Sequence, residues 1–509
     1  MTMPEATNSG RMIQGFEVPR RPWWRRHWKS LAAAALALVL VGVGLRYWDE
    51  FPCGGPGNGV RLIGGQCVGI TDDAHVFHDD FEEIQSKIAE ENDRISEAVE
   101  ADDSEAVKIA HLGTFSFGEV GPMDPGRMLR ALEGAHAAQM AANHSPRFGD
   151  RTPEIQLELA NVGSQQAQWE PVVDQLVPMA EDDTPLVAVT GMGVSIDSTR
   201  DIAERLSGEN IPMVSSAVTA DGLEHGEIPG LLRAAPSNTE YVRALREYMD
   251  GLDEDTSAAL VYDENDPDLF VTTLRRAYEE HLADFTEGSA QEYRGTTVGE
   301  SSTPGLYTAI TMNLCTAATD TVFFAGRAPD LDDFLYALSI RSCDHIPMRV
   351  VFAVTGLSVV QDDEVMGYLE DGDISLVYAS ATDPRWENAT PGEGAPEHYG
   401  DFLDAYREHV GDDAGAFDNG YALVNHDAVG VAARAVRLSN LREGEELPTA
   451  EEVSSQLMLL NSAQEVEAGG GTLSYEDHME GEAAGRYVPV VELPLEGGQP
   501  LEDPYVTGD

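Results

Sequence analysis

Residues 185–216 read PLVAVTGMGVSIDSTRDIAERLSGENIPMVSS, and their reading decides the fold class. Leu186–Thr190 is a short β-branched run that reads as a strand, Ile196–Leu206 as a helix, and Ile211–Val214 as a second strand. A strand, a helix and a strand of these lengths form a unit of a parallel sheet, because parallel neighbours need a crossover. The rhythm extends outward from this unit. Before it come Val107–Leu112 (strand), Met128–Ala142 (helix, rich in Ala, Leu and Met), Ile155–Ala160 (alternating strand) and Trp169–Met179 (helix), and after it Thr239–Leu252 (helix).

A second block repeats the pattern. Ala258–Tyr262, Thr321–Ala325, Met348–Val354 and Ser375–Ala379 read as strands. Leu269–Leu282, Tyr307–Ala317, Leu331–Ile340, Phe402–His409 and Tyr421–Leu438 read as helices. Two such blocks predict an α/β protein of two lobes, each a parallel sheet covered on both faces.

The N-terminal region is different. Arg20, Arg21, Arg25, Arg26 and Lys29 stand among Trp23, Trp24 and Trp28, ahead of an apolar run from Leu31 to Leu45 that Tyr47 and Trp48 close. A bilayer core of ~30 Å asks for about 20 apolar helical residues, and aromatic flanks sit at headgroup level. Residues 31–48 are therefore expected to be a transmembrane signal-anchor, with 1–30 a cytoplasmic tail and the bulk outside the cell. A cleaved signal peptide is the rival, but the tail is long for one and Gly42-Val43-Gly44 is a weak cleavage site.

Charge narrows the function. Ninety Asp+Glu against 32 Lys+Arg gives a net −58, which excludes a nucleic-acid footprint. Lysine occurs only at Lys29, Lys87 and Lys108. Self-repulsion at this charge is relieved by screening, so folding is expected to improve with ionic strength. Four cysteines outside the membrane predict two structural disulfides, Cys53–Cys67 and Cys315–Cys343, each stabilising by ~3 kcal/mol through loop closure. Between the anchor and the lobes, residues 49–104 read as a disulfide-closed Gly-rich loop and a helical stalk, the latter from Phe81, Ile84, Ile88, Ile95 and Val99.

Several segments together resemble the type 1 periplasmic binding proteins, specifically the leucine/isoleucine/valine-binding receptors of ABC importers. They are Val107-Lys108-Ile109-Ala110 with Leu132-Glu133-Gly134-Ala135 and Ala141-Ala142-Asn143, the two strand ends of the opening stretch, His426-Asp427-Ala428-Val429 with Ala432-Ala433-Arg434-Ala435, and the Gly469–Val491 segment, a closing hairpin. The resemblance covers most of Ala106–Pro494. It implies an N-terminal lobe of residues 105–237 with 377–465, a C-terminal lobe of 238–376 with 466–509, and hinge motion that closes both on a ligand.

Ligands of such sheets lie beyond the carboxyl ends of the parallel strands. That rule selects Ser195, Ser215 and Ser216 on the first lobe, where the resemblance implies contacts to a ligand carboxylate. Ser195 is also placed to cap the helix that follows. On the second lobe the rule selects Tyr262, Asp263, Arg327 and Thr355, with Arg327 a candidate anion clamp. Amino-acid receptors of this family place an acid where Thr355 stands, a departure that speaks against a branched-chain amino acid as ligand unless Asp263 or Asp266 substitutes; Asn161 stands where an acid often ends the second strand.

No His-Glu-x-x-His, Gly-x-Ser-x-Gly or phosphate-cradling loop with a lysine is present. His75, His78, Asp79 and Asp80 lack the spacing of a closed metal set, and Asp263, Asn265 and Asp266 lack a calcium loop's glycine and distal glutamate. The expectation is a non-enzymatic protein without cofactor or metal. It would be a membrane-anchored, extracellular solute-binding protein that delivers an amino-acid-like or other small carboxylate to an ABC permease. The alternative is a ligand-sensing ectodomain that signals to a partner membrane protein.

Overall fold

The computed structural model describes residues 27–33, 35–36, 50–55, 57–71, 75–118, 121–252, 256–295, 298, 307–357, 362–412, 415–440, 447–495, 501 and 503–508. Most of the expected anchor, 31–48, lies outside these residues. Among the described residues no helix is long and apolar enough to cross a membrane.

The first lobe is built on a seven-stranded sheet. Its strands are β1 (Val60–Ile63), β2 (Gln66–Thr71), β3 (Ala106–Gly113), β4 (Glu154–Asn161), β5 (Leu186–Gly191), β6 (Met213–Ser215) and β7 (Leu231–Arg233), in spatial order β1-β2-β4-β3-β5-β6-β7. From β4 to β7 all neighbours are parallel, as the crossover spacing requires, while β1 and β2 form an antiparallel hairpin that adds to the β4 edge. The central strands are buried on both faces, which explains their apolar runs without alternation.

The second lobe follows with β8 (Ala258–Asp263), β9 (Gln291–Tyr293), β10 (Thr321–Ala325), β11 (Met348–Ala353) and β12 (Ile374–Ala379), in order β12-β11-β10-β8-β9 and all parallel. The C-terminal region makes β13 (Val466–Ala468), β14 (Gly471–Ser474), β15 (Ala484–Val488), β16 (Val490–Leu493) and β17 (Tyr505–Val506). Of these, β16 joins the second sheet antiparallel to β12. The others form a small separate sheet.

Helices assign the remaining chain. Tyr421–Ser439 packs along Pro125–His144 so closely that a Cβ on Gly134 would collide with the backbone of Ala422. Val453 and Leu457 of the Ala450–Leu457 helix, and Val466, Ala468 and Leu473 of β13 and β14, enter the same first-lobe core. The chain therefore passes between lobes three times: after β7, after β12, and along β15. The crossings are tied to one another, Arg233 N donating to Gly481 O at 3.0 Å and Ser380 N to Pro489 O at 3.1 Å.

Both expected disulfides are present. The stalk is not: the segment read as one is part of the first lobe. Phe81, Ile84, Ile88 and Ile95, none more than 3% exposed, enter its core from the Glu82–Glu100 helix and the turn before it. The β2 strand pairs only with Leu159–Asn161 of β4, leaving the lower edge of β4 open. Asn92 fills that edge, exchanging hydrogen bonds of 2.9 and 3.0 Å with the backbone O and N of Leu157. An edge strand's unpaired backbone is thereby satisfied.

Candidate functional site

The carboxyl ends of both sheets face each other across a cleft between the lobes. The cavity there is only about 30 Å3, room for roughly one water. Ser195 and Thr219 line it from the first lobe, Phe270, Arg327 and Thr355 from the second, and Tyr421 from the crossover side. Of the residues selected from the sequence, the structure thus brings together Ser195, Arg327 and Thr355.

Ser195 does not cap its helix. Ile196 is the N-cap residue of Asp197–Ser207, with no side-chain cap. The Ser195 hydroxyl oxygen instead accepts from Thr219 N at 2.9 Å and Ala220 N at 3.1 Å, holding the loop after β6. Arg233 fixes the same loop from behind. It is buried, ion-paired with Glu224, and donates to the carbonyls of Thr219, Ala220 and Leu223 at 3.1–3.3 Å.

The lobes touch here. Ser195 O accepts from Phe270 N at 3.1 Å and from Arg327 Nη2 at 3.2 Å, and Asp197 N donates to Pro267 O at 3.3 Å. Arg327 is not a clamp waiting for an anion. Its Nε and Nη2 make two 2.7 Å bonds to the fully buried carboxylate of Asp268, and its guanidinium lies 4.9 Å from the Phe270 ring. A buried bidentate pair of this kind leaves little charge for a ligand.

The other selected residues lie off the cleft. Ser215 donates to Leu232 O at 3.2 Å and Ser216 to Gly191 O at 3.3 Å, both facing into the sheet. Ala217 and Thr219, further along the same loop, reach the cavity in their place. Tyr262 lies under the Arg275 guanidinium at 3.8 Å and donates to Glu292 at 3.2 Å. Asp263 is buried beneath the second lobe's rim, its carboxyl pKa raised by burial first, with the Gly295 amide pulling the other way. Asn161 is committed to structure: it accepts from Phe115 N and Gly163 N and donates to Cys67 O and Ser116 Oγ.

The sequence reading missed Arg127. It lines the cleft from the first turn of Pro125–His144, is ion-paired at 3.2 Å with Asp124, and stands 6.0 Å from the Tyr421 ring. Across from it, burial pushes the Asp332 carboxyl up to about 6, with Arg127 the main opposing influence. The strand-end rule applied to β3 leads into the loop before this helix and would have found it.

Three helix N-termini also converge on the cavity. Asp197–Ser207, Ala328–Ser339 and Tyr421–Ser439 follow the N-cap residues Ile196, Arg327 and Gly420, and none of these N-cap side chains bonds to an amide of its own helix. Ser195, Ala328 and Tyr421, at or beside those starts, line the space. Each N-terminus carries roughly half a positive charge, which favours an anion although the chain is acidic. The leading amides of two of them are already taken, Asp197 N by Pro267 O at 3.3 Å and Tyr421 N by Asn419 Oδ1 at 3.1 Å.

No protein-family model and no curated protein matches the chain. Solved structures do share its fold. An ABC transporter substrate-binding protein from Desulfitobacterium hafniense, in complex with Leu, aligns with a TM-score of 0.55 at 18% identity, over 79% of this chain and 100% of that one. LivJ, the branched-chain amino acid transporter substrate-binding protein of Streptococcus pneumoniae in complex with isoleucine, gives 0.56 at 15%, over 79% and 100%. A solute-binding protein of an ABC transporter from R. palustris, in complex with 4-hydroxybenzoate, gives 0.56 at 13%, over 79% and 96%. The chain has the two-lobed type 1 periplasmic-binding fold that these proteins share.

Proposed function

We propose that this protein is an extracellular solute-binding protein, tethered by residues 31–48, that closes its lobes on a small carboxylate and presents it to an ABC permease. The observation that carries this reading is the meeting of three helix N-termini with Ser195, Thr219, Arg127 and Thr355 in one inter-lobe cleft. Amide hydrogens and hydroxyls would hold the carboxylate, and Arg127 rather than Arg327 is the guanidinium suited to face it. Leucine, isoleucine and 4-hydroxybenzoate, bound by proteins of the same fold, all carry a carboxylate, and Phe270 and Tyr421 offer walls for an apolar or aromatic remainder. The cavity is far below the ~300 Å3 and more of ordinary ligand sites, so the lobes must part to admit a solute.

Thermal-shift screening against amino acids and aromatic acids tests the proposal. A bound solute at a hundredfold over its Kd raises stability by ~2.7 kcal/mol. Ser195→Trp, which fills the cleft, is expected to abolish that rise. A stabilising solute whose effect survives Ser195→Trp places binding elsewhere and overturns this reading.

A further inference from the structure

A second cavity lies on the far side of the crossings from the cleft. Thr355, which lines the cleft, gives its carbonyl to Ala381 N at 3.2 Å, and the neighbouring Ser380 N donates to Pro489 O at 3.1 Å. Pro489 in turn lines a cavity of about 390 Å3, so two of the three crossings stand between it and the cleft. Its walls come from different lobes. Trp386, whose indole N–H donates to Gly394 O at 2.9 Å, packs in one cluster with Ala137 and Phe402 of the first lobe. The other wall is Tyr248 and Leu252, on the Asn238–Asp250 helix and the turn after it, both packed against the second lobe's core.

The space is within the ~300–1,000 Å3 of ordinary ligand sites, and its lining suits one class of guest. Trp386, Tyr248 and Tyr505 supply aromatic surface. Among the described residues the only cation in the lining is Arg385, whose Nε is spent on Asp383 at 2.9 and 3.1 Å. Glu492 accepts from the Tyr248 hydroxyl at 2.9 Å. Glu247 and Asp503 stand exposed at the rim, and neither side chain has a hydrogen bond or ion pair among the described residues. Unpaired carboxylates beside aromatic surface repel an anion and attract a cation that has an apolar body. A bare metal ion fits less well, because no group of three donor side chains among the described residues could hold one.

We propose that this cavity binds a small organic cation, an ammonium group on an apolar or aromatic body, and that its occupant holds the lobes closed. The front of the molecule is shut to about 30 Å3 while the back stands open. Rotation about crossings that lie between the two widens one by narrowing the other. A guest that fills the back therefore binds the closed arrangement better than the open one, and shifts the lobes toward it by that difference. The device requires lobes that part and no particular solute.

The test uses the full chain in detergent, titrated calorimetrically with benzyltrimethylammonium chloride at fixed ionic strength, with NaCl in parallel. One saturable site is expected for the organic cation and none for sodium. Glu247→Gln and Asp503→Asn should each weaken binding about 3–5-fold, and the pair together at least about tenfold. Both positions are exposed, so the variants should melt with the wild type, and their melting separates lost binding from lost folding. Spin labels on Asp201→Cys and Arg276→Cys then read lobe separation by pulsed dipolar spectroscopy. Without any solute, the probe should raise the share of the short distance at least about threefold over the long one. Uptake that is unsaturable, or unchanged in the double variant, reflects the acidic surface alone and overturns the site. Specific binding that leaves the distances unchanged, or favours the long one, overturns the hold on the lobes. Because no solute is present, failure of the carboxylate screen leaves this result standing.

Discussion

A single side chain at the crossings between the lobes ties stability to pH. Glu482 accepts from Ser237 N at 2.6 Å where two crossings meet. Burial, opposed by Arg233 and reinforced by Glu240, pushes its carboxyl from 4.5 to about 7. A raised carboxyl favours the fold while protonated, so its contribution is complete below about 4.5 and is lost as pH rises through about 7. Glu482→Gln keeps the acceptor and removes the titration. It should stabilise the protein by about 1–3 kcal/mol at pH 8 and leave stability unchanged near pH 4, measured by denaturant melts. A gain equal at both pH values would contradict this assignment. At this scale the sequence was a partial guide. The strand-end rule found Ser195 and Thr355 because it depends only on topology. It misplaced Ser215 and Ser216, because one step along a loop turns a side chain from cleft to sheet. Asp268 as Arg327's partner was out of reach, since acids abound in this chain and nothing local marks the one a guanidinium meets.

Among the elements, Glu82–Glu100 shows what periodicity can and cannot tell. An apolar stripe at helical spacing is the same for a stalk and for a helix docked on a lobe. The distinguishing signal lay in the stripe's polar members, Gln85, Glu91 and Asn92, all buried. Asn92 meets an open strand edge, and Glu91 accepts from Arg94 at 2.8 Å and Asn143 at 2.9 Å. A coiled-coil stalk has no use for such a face. Phe81, Ile84, Ile88 and Ile95 each contribute roughly 1.5–3 kcal/mol on burial. A chain starting at residue 102 should therefore melt at least 10 °C below one starting at residue 50, or lose a cooperative transition, by calorimetry. Equal melting of the two would restore the stalk. The β1–β2 hairpin was legible only as a disulfide loop, because two short strands set among the glycines of that segment carry little pattern.

For the molecule as a whole, alternation of strand and helix was sufficient to predict two parallel sheets, because crossover connections admit few other arrangements. The third passage was expected at 465/466 and lies further on, along β15: β13 and β14 stay with the first lobe while β16 leaves for the second. The net −58 spread over this surface should make stability rise with salt, and a melting temperature that stays flat or falls between low and molar KCl would reject that. The proposed function depends on whether the lobes part. Asp201 and Arg276 are exposed on helices of the two lobes whose starts are bonded across the cleft, and no cysteine is free among the described residues. Spin labels on Asp201→Cys and Arg276→Cys therefore report lobe separation by pulsed dipolar spectroscopy. The account predicts a short and a long distance without solute, and collapse to the short one when a stabilising carboxylate is bound. One unchanged distance in both conditions, with the solute demonstrably bound, would contradict it.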